Sequence, residues 1–329
     1  MRAEPAAAVD AALEVLGDIA RRDVPIGPMT TYRVGGAAAV FVTLTSLAQL
    51  ERVGEAVRVS ALPVVVLGRG SNLLVADAGF AGIVVSAAAV TDRFEIDVES
   101  CIVRAGSSVP LPVLARQCAA RGLTGFEWAV GVPGSIGGAV RMNAGGHGSD
   151  IAASLVEVTV ADLSGARPAG PTVRTAGDLG LRFRGSDLGP ADLVLEAVLQ
   201  LAPGVATASE AEISEVVAWR RANQPGGQNA GSVFVNPVPG EVSAGALIDQ
   251  VGLRGLRVGS AHVSDKHANF IQADDGGSAD DVVALMRLVR ERVRAETGHD
   301  LRSEIRLLGF GADLSEPPMS GAPTSDGTG

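Results

Sequence analysis

Gly125–Gly148 reads GFEWAVGVPGSIGGAVRMNAGGHG, and eight of its 24 residues are glycine, against 42 in 329 for the whole chain. Glycine loses more backbone freedom on ordering than any other residue, so this density predicts a loop and not a helix. Ionised side chains are scarce, with Glu127 and Arg141 the two to expect. Such a chain presents bare N–H groups, and these form concavities that accept phosphate oxygens. Val130, Val132, Ile136, Val140 and Met142 make the stretch too apolar for a disordered linker. A plain surface loop is the bland alternative, but ordered loops of this length are usually functional.

Upstream, Leu62–Leu67 (LPVVVL) predicts a short buried strand, which runs directly into Gly68-Arg69-Gly70-Ser71-Asn72. A P-loop needs a lysine after its last glycine, and the only lysine is Lys266, so that motif is excluded. No G-x-S-x-G occurs. Leu73 stands where a G-x-G-x-x-G fingerprint needs its third glycine, and strand-like residues follow, so a Rossmann site is unsupported. What remains is a strand-end turn whose N–H groups, with Arg69, face a pyrophosphate; an ordinary turn is the other reading. Two glycine cradles in two lobes suit a dinucleotide such as FAD lying in a cleft.

At 33.3 kDa the chain is long enough for two or three domains. Its net charge of −10 argues against nucleic acid or an anionic membrane surface as partner. Cys101 and Cys118 have no metal-ligand spacing and read as buried thiols of a reducing compartment. The four histidines are scattered, so no metal site is expected. With no signal peptide and no membrane-length apolar run, a cytoplasmic location is expected.

Residues 6–22 have a helical pattern and read as an N-terminal extension. Ser46 with Gln49, Ser209 with Glu212, and Ser278 with Asp281 each predict a capping box opening a helix. Phe94–Val98 with Cys101–Ala105 suggests a hairpin, Leu111–Ala120 a helix, and Leu155–Val160 and Leu193–Leu201 strands. Leu301–Leu308 reads as a strand with Glu304 and Arg306 on one face, and residues 311–329 as a disordered tail.

Three dispersed motifs then resemble one family. They are Val132-Pro133-Gly134-Ser135-Ile136-Gly137-Gly138 with Asn143-Ala144-Gly145, then Gly231-Ser232-Val233-Phe234-Val235-Asn236-Pro237, then Ser303-Glu304-Ile305-Arg306. Thr30–Gly36, Leu67–Leu74, Ala246–Asp249 and Lys266-His267-Ala268-Asn269-Phe270 add to the likeness. In order and spacing the chain is similar to the UDP-N-acetylenolpyruvoylglucosamine reductase (UDP-N-acetylmuramate dehydrogenase) family, flavoenzymes of peptidoglycan precursor synthesis. The resemblance implies an α+β fold: a two-lobed FAD-binding region of the vanillyl-alcohol-oxidase type and a C-terminal α+β substrate domain. On it we expect an extension at 1–24, FAD-binding lobes at 25–86 and 87–201, a substrate domain at 202–310 and a tail at 311–329.

By the same resemblance Ser232 is the proton donor, with Glu304 and Arg184 as its catalytic companions. The FAD loops fall on Gly68, Arg69, Gly70, Ser71, Asn72 and Leu73, and on Pro133, Gly134, Ser135, Ile136, Gly137, Gly138, Asn143, Ala144 and Gly145, with Arg306 beside them. Asn236, His267 and Arg254 are candidate contacts to the substrate nucleotide. The family implies NADPH as hydride donor, a UDP-sugar as substrate and a monomer. Hydride transfer to the vinyl C3 leaves negative charge running from C2 into the carboxylate. Arg184 suits that charge, a buried neutral Glu304 suits the carboxylate, and Ser232 suits proton delivery to C2. Val235, Asn223, Phe183 and Gly146-His147 depart from the family pattern, which bears on nucleotide affinity more than on reaction type.

Overall fold

The structure, a computed structural model, describes residues 5–166 and 170–311. The tail expected beyond Gly311 lies outside the described residues. Helix α1 (Pro5–Leu16) buries Ala8, Val9, Ala12 and Leu16 on one face and packs on helix α2 (Leu50–Ser60). The helical pattern expected to reach Arg22 stops at Leu16. Gly17 turns left-handed at φ +55°, and Ala20–Pro25 becomes a strand antiparallel to Ala37–Thr43. What read as an extension is therefore the edge of the first sheet, with strand order 20–25, 37–43, 80–86, 64–66. Its last two pairings are parallel. The Ser46–Gln49 capping box forms and opens a short 3₁₀ turn leading into α2.

The second lobe is a five-stranded antiparallel sheet ordered Pro171–Thr175, Leu155–Asp162, Asp192–Gln200, Ile102–Gly106, Phe94–Asp97. Its first strand falls in a polar stretch that gave no strand signal. Helix α3 (Leu111–Ala119) lies as expected. Helix α4 (Ile136–Met142) corrects the reading of the glycine-rich stretch, which does hold a helix. Ile136, Ala139 and Val140 are buried in the lobe's core. A Cβ on Gly137 would stand 2.7 Å from the Ser107 Cβ, and Gly137 N–H donates to the Ser107 carbonyl at 2.9 Å. The glycine is what lets the helix lie against that backbone, and the packing offsets its entropy cost.

Helix α5 (Ala206–Asn223) begins ahead of the expected Ser209 cap. Ser209 is buried inside it, and its hydroxyl donates to Glu127 Oε1 at 2.6 Å, so no Ser209–Glu212 box forms. Ile213 and Val216 join the core of the second lobe, so α5 packs there, and Lys266 of the following chain donates to its Arg221 carbonyl at 2.5 Å.

The third body comprises helix α6 (Ala244–Gln250), strands 257–258, 261–263 and 271–273, and helix α7 (Ala279–Thr297). Ser278 caps α7, accepting from Asp281 N–H at 3.2 Å. The Asp281 carboxylate turns instead to the Ser260 N–H and hydroxyl, both at 2.8 Å. Of the strand expected over Leu301–Leu308, only Arg306–Leu308 forms, parallel to Leu73–Val75 of the first lobe. Tyr32 of the first lobe, fully buried, donates its hydroxyl proton to the Ile271 carbonyl at 3.0 Å. Strand pairing and this buried phenol fasten the third body to the first.

Candidate active site

The three bodies enclose a cleft of about 540 Å³, a size suited to a small-molecule or cofactor site. Its first wall is the turn after the strand Val64–Val66. Gly68, Arg69, Gly70, Ser71 and Asn72 all line the cleft, and none of their five backbone N–H groups meets an acceptor among the described residues. Backbone donors seldom stay unpaired except where a ligand or water takes them. Gly70 is left-handed at φ +59°, and a Cβ there would come within 2.8 Å of the Thr30 Cα. Leu73 starts the strand beside the turn and also faces the cleft.

The second wall is the start of α4. Pro133, Gly134, Ser135, Gly137, Gly138, Ala144 and Gly145 line it. The two walls touch, since Arg69 Nε donates to the Pro133 carbonyl at 3.2 Å. Ile136 and Asn143, expected among the flavin contacts, do not line the cleft. Ile136 is wholly buried in the core. The Asn143 amide donates to Asp150 Oδ2 at 3.0 Å and to the Arg182 carbonyl at 3.2 Å, and its oxygen accepts from Ala152 N–H at 3.1 Å. Asn143 thus supports the loops around the cradle.

Arg184 sits at the tip of a two-residue turn closed by Arg182 and Gly185, each donating its N–H to the other's carbonyl at 2.9 and 3.0 Å. Its φ of +58° is a left-handed conformation that a non-glycine residue adopts at a cost of about 1–2 kcal/mol. Asn143 holds this turn from one side, and the Ser186 hydroxyl ties it to the Arg141 carbonyl at 2.7 Å. Arg184 Nε lies 2.8 Å from Glu304 Oε1. Burial pushes the Glu304 carboxyl above the ordinary glutamate value, against the opposing pull of Arg184.

Ser232 and Glu304 come from segments that pair antiparallel. Glu304 N–H donates to the Val233 carbonyl at 2.8 Å, and Val235 N–H to the Arg302 carbonyl at 2.9 Å. Gly231, at φ +78°, donates to Asn229 Oδ1 and turns the chain into Ser232. Buried Asn269 brackets Phe234, accepting from its N–H at 3.0 Å and donating to its carbonyl at 2.8 Å. Ser232, Arg184 and Glu304 all line the one cleft, and the Ser232 hydroxyl has no hydrogen-bond partner among the described residues. The sequence treated Asn269 only as part of a motif; a buried asparagine inside an apolar run was the signal for its role.

The cleft carries five arginines, Arg69, Arg141, Arg184, Arg220 and Arg306, against Asp192 and Glu304. A chain of net charge −10 therefore concentrates positive charge along this cleft. Burial and the neighbouring Arg306 push the Arg141 guanidinium below its ordinary value. Arg141, Arg220, Gln224 and Asp192 were not singled out as site residues from sequence. The Gln224 Oε1 is a buried acceptor without a partner, on the cleft wall.

The three expected nucleotide contacts stand elsewhere. Arg254 is spent on the Asp249 carboxylate and the Asp265 carbonyl. Asn236 Oδ1 accepts from Ala244 N–H at 3.0 Å. His267 packs against Phe270 with ring centres 4.8 Å apart and the planes tilted by 58°, and burial, with Arg254 nearby, holds its imidazole below the ordinary value. None of the three lines the cleft; each is fixed by a local partner that sequence spacing does not reveal.

A family model described as the C-terminal domain of UDP-N-acetylenolpyruvoylglucosamine reductase matches residues 223–308, and one described as the FAD binding domain matches residues 38–167. The chain is 43% identical to the UDP-N-acetylenolpyruvoylglucosamine reductase of Gloeobacter violaceus, over 88% of this chain and 96% of that one. It is 41% identical to that of Synechococcus sp. strain RCC307, over 90% and 97% of the two chains. The fold resembles the crystal structure of the UDP-N-acetylenolpyruvylglucosamine reductase from Thermus caldophilus, with TM-score 0.74 and 34% identity, covering 88% and 99% of the two chains.

Proposed function

The chain belongs to the UDP-N-acetylenolpyruvoylglucosamine reductase family of FAD-dependent oxidoreductases, and on that premise we propose that it uses NADPH to reduce the enolpyruvyl ether of a UDP-sugar to UDP-N-acetylmuramate. The observation carrying this reading is the 2.8 Å Arg184–Glu304 pair, which lines one cleft together with Ser232 and two glycine cradles.

The cradles fit FAD. Five consecutive N–H groups at Gly68–Asn72 without acceptors among the described residues, together with the Arg141 and Arg306 guanidinium groups, supply what a diphosphate needs. FAD held by these residues and reduced by NADPH would supply the hydride for the vinyl C3 of the substrate. The protein's own groups do the rest. The Nη groups of Arg184, its Nε being turned to Glu304, offer a fork to the substrate carboxylate as charge spreads into it. Glu304, held toward its neutral form by burial, donates to that carboxylate. Ser232, without a hydrogen-bond partner among the described residues, delivers its proton to C2; positioning makes this weak acid effective.

The test is NADPH oxidation by the purified yellow holoprotein. Oxidation that requires the enolpyruvyl UDP-sugar and yields UDP-N-acetylmuramate supports the reading. Flavin reduction by NADPH without any reoxidation by that substrate overturns it.

A further inference from the structure

Asn72 stands in the first glycine cradle, yet its side chain does not face the cradle's task. Its Nδ2 donates to the main-chain carbonyl of Glu304 at 3.0 Å, across 232 residues of sequence. Its own carbonyl accepts from Arg306 N–H at 2.9 Å. The Glu304 N–H meanwhile donates to the Val233 carbonyl at 2.8 Å. Glu304 precedes the strand Arg306–Leu308, so no regular ladder fixes it. Its peptide groups are instead held from one side by the segment bearing Ser232 and from the other by Asn72.

We propose that Asn72 is a positioning residue for Glu304, whose amide sets the carboxyl against Arg184 and Ser232 and so links the first cradle to the acid–base wall. A cradle residue that only binds phosphate needs its N–H, and the N–H of Asn72, like its four predecessors, meets no acceptor among the described residues. The side-chain amide is therefore a second, separate investment. Arg306 completes the arrangement: it lines the same cleft, and its N–H bond to Asn72 fixes the register of Leu73–Val75 against Arg306–Leu308. Without the Asn72 amide the Glu304 carbonyl loses its donor, and the peptide can rotate about its remaining anchors at Val233 and Arg306. Small misplacements of catalytic groups are costly, on the order of 10²-fold for about 1 Å.

This inference rests on the proposed reaction for its kinetic arm only. Asn72→Ala and the isosteric Asn72→Asp are compared with the parent holoenzyme. In crystals of either variant the Arg184 Nε–Glu304 Oε1 distance, 2.8 Å here, should open beyond the 4 Å limit of an ion pair. A pair that stays closed in both overturns the proposal whatever the enzyme's substrate. Kinetically, reoxidation by the enolpyruvyl UDP-sugar should slow by about 10–100-fold more than reduction by NADPH does. In a Glu304→Gln background, Asn72→Ala should add almost nothing, because both changes disable one unit. Full additivity in that cycle overturns the proposal. So does loss of flavin with both rates restored by added FAD, which would make Asn72 a cofactor ligand. A parent enzyme that never reoxidises with this substrate sinks the proposed function and leaves the crystallographic arm to decide on Asn72.

Discussion

The glycine cradles and the acid–base wall line one cleft, but they are built by different means. Gly68–Asn72 is a single turn whose donors are consecutive in sequence and belong to the backbone. The wall takes Arg184 from a strained turn in the second lobe, Ser232 from the entry to the third body, and Glu304 from a segment clamped between the third and first. Cradle chemistry thus survives any substitution that preserves backbone shape, whereas wall chemistry depends on side-chain identity and on distant hydrogen bonds.

The sharpest way to break that contrast is Ser232→Ala. Removing a positioned general acid costs about 10²–10⁴-fold. Stopped-flow absorbance should show reoxidation by substrate slowed by that order with flavin content and reduction by NADPH nearly unchanged. If both half-reactions fell equally, the wall would be no more than part of the binding surface, and the contrast would fail.

Glu304→Gln comes next, at about 10–100-fold on reoxidation, matching about 1.5–3 kcal/mol for a hydrogen bond to a charged group. The pH profile sharpens it. Burial raises the Glu304 carboxyl above the usual value of about 4.3, so the protonated, donating form persists to higher pH than in a free glutamate. Reoxidation should fall as pH rises through that raised value, and the limb should be missing from Glu304→Gln. The same sign holds for folding. A raised carboxyl loses stability as pH climbs from the unfolded to the native value, so the parent's unfolding midpoint should drop across that window and the variant's should not.

This contrast also explains what the sequence disclosed. The cradles are contiguous, so Leu62–Leu67 followed by Gly68–Asn72 could be read as a strand and a phosphate-binding turn from local pattern alone. The Ser46 and Ser278 caps were legible for the same reason, being settled within one turn of helix. Helix α4 was not, because the contact that offsets its glycines lies at Ser107, about 30 residues away. Ser209 carried a capping signal, but Glu127, far upstream, claimed its hydroxyl. The convergence of Ser232, Arg184 and Glu304 came only from resemblance, since no spacing or period relates residues placed by long-range pairing. Arg254 and His267 do not line the cleft; Asp249 holds the one and Phe270 packs against the other, partners that sequence spacing does not reveal.

Gly70→Ala probes the cradle with a smaller expected effect. The new Cβ meets the Thr30 Cα at 2.8 Å on a left-handed backbone, a conformation costing about 1–2 kcal/mol for a non-glycine residue. If the turn relaxes to escape that strain, FAD has to restore it, and flavin affinity should weaken by roughly 5–30-fold at about 1.4 kcal/mol per tenfold. Fluorescence titration of the apoprotein measures the loss. With saturating FAD both half-reactions should recover, which no wall variant should do. A variant with normal affinity would mean that this turn does not shape the cofactor site.

Ser209→Ala should leave turnover almost untouched, because neither Ser209 nor its partner Glu127 lines the cleft. Glu127 is 4% exposed. Burial alone would push its carboxyl up, but the Ser209 hydroxyl at 2.6 Å and the Gly125 N–H at 2.8 Å help hold it below the ordinary value. A carboxyl depressed in the native state adds stability above its unfolded value and loses it as pH falls through the native one. Removing the hydroxyl leaves a buried acceptor short of one donor, at about 1–3 kcal/mol. Denaturant unfolding should show that loss at neutral pH and a smaller one in acid, where the carboxyl is protonated in both proteins. The helix concerned, α5, carries Arg220 and Gln224 to the cleft near its C-terminal end. An unchanged half-reaction would show that the joint at its other end holds the lobe together without tuning the wall; a slowed one would extend the wall's long-range assembly by a further helix.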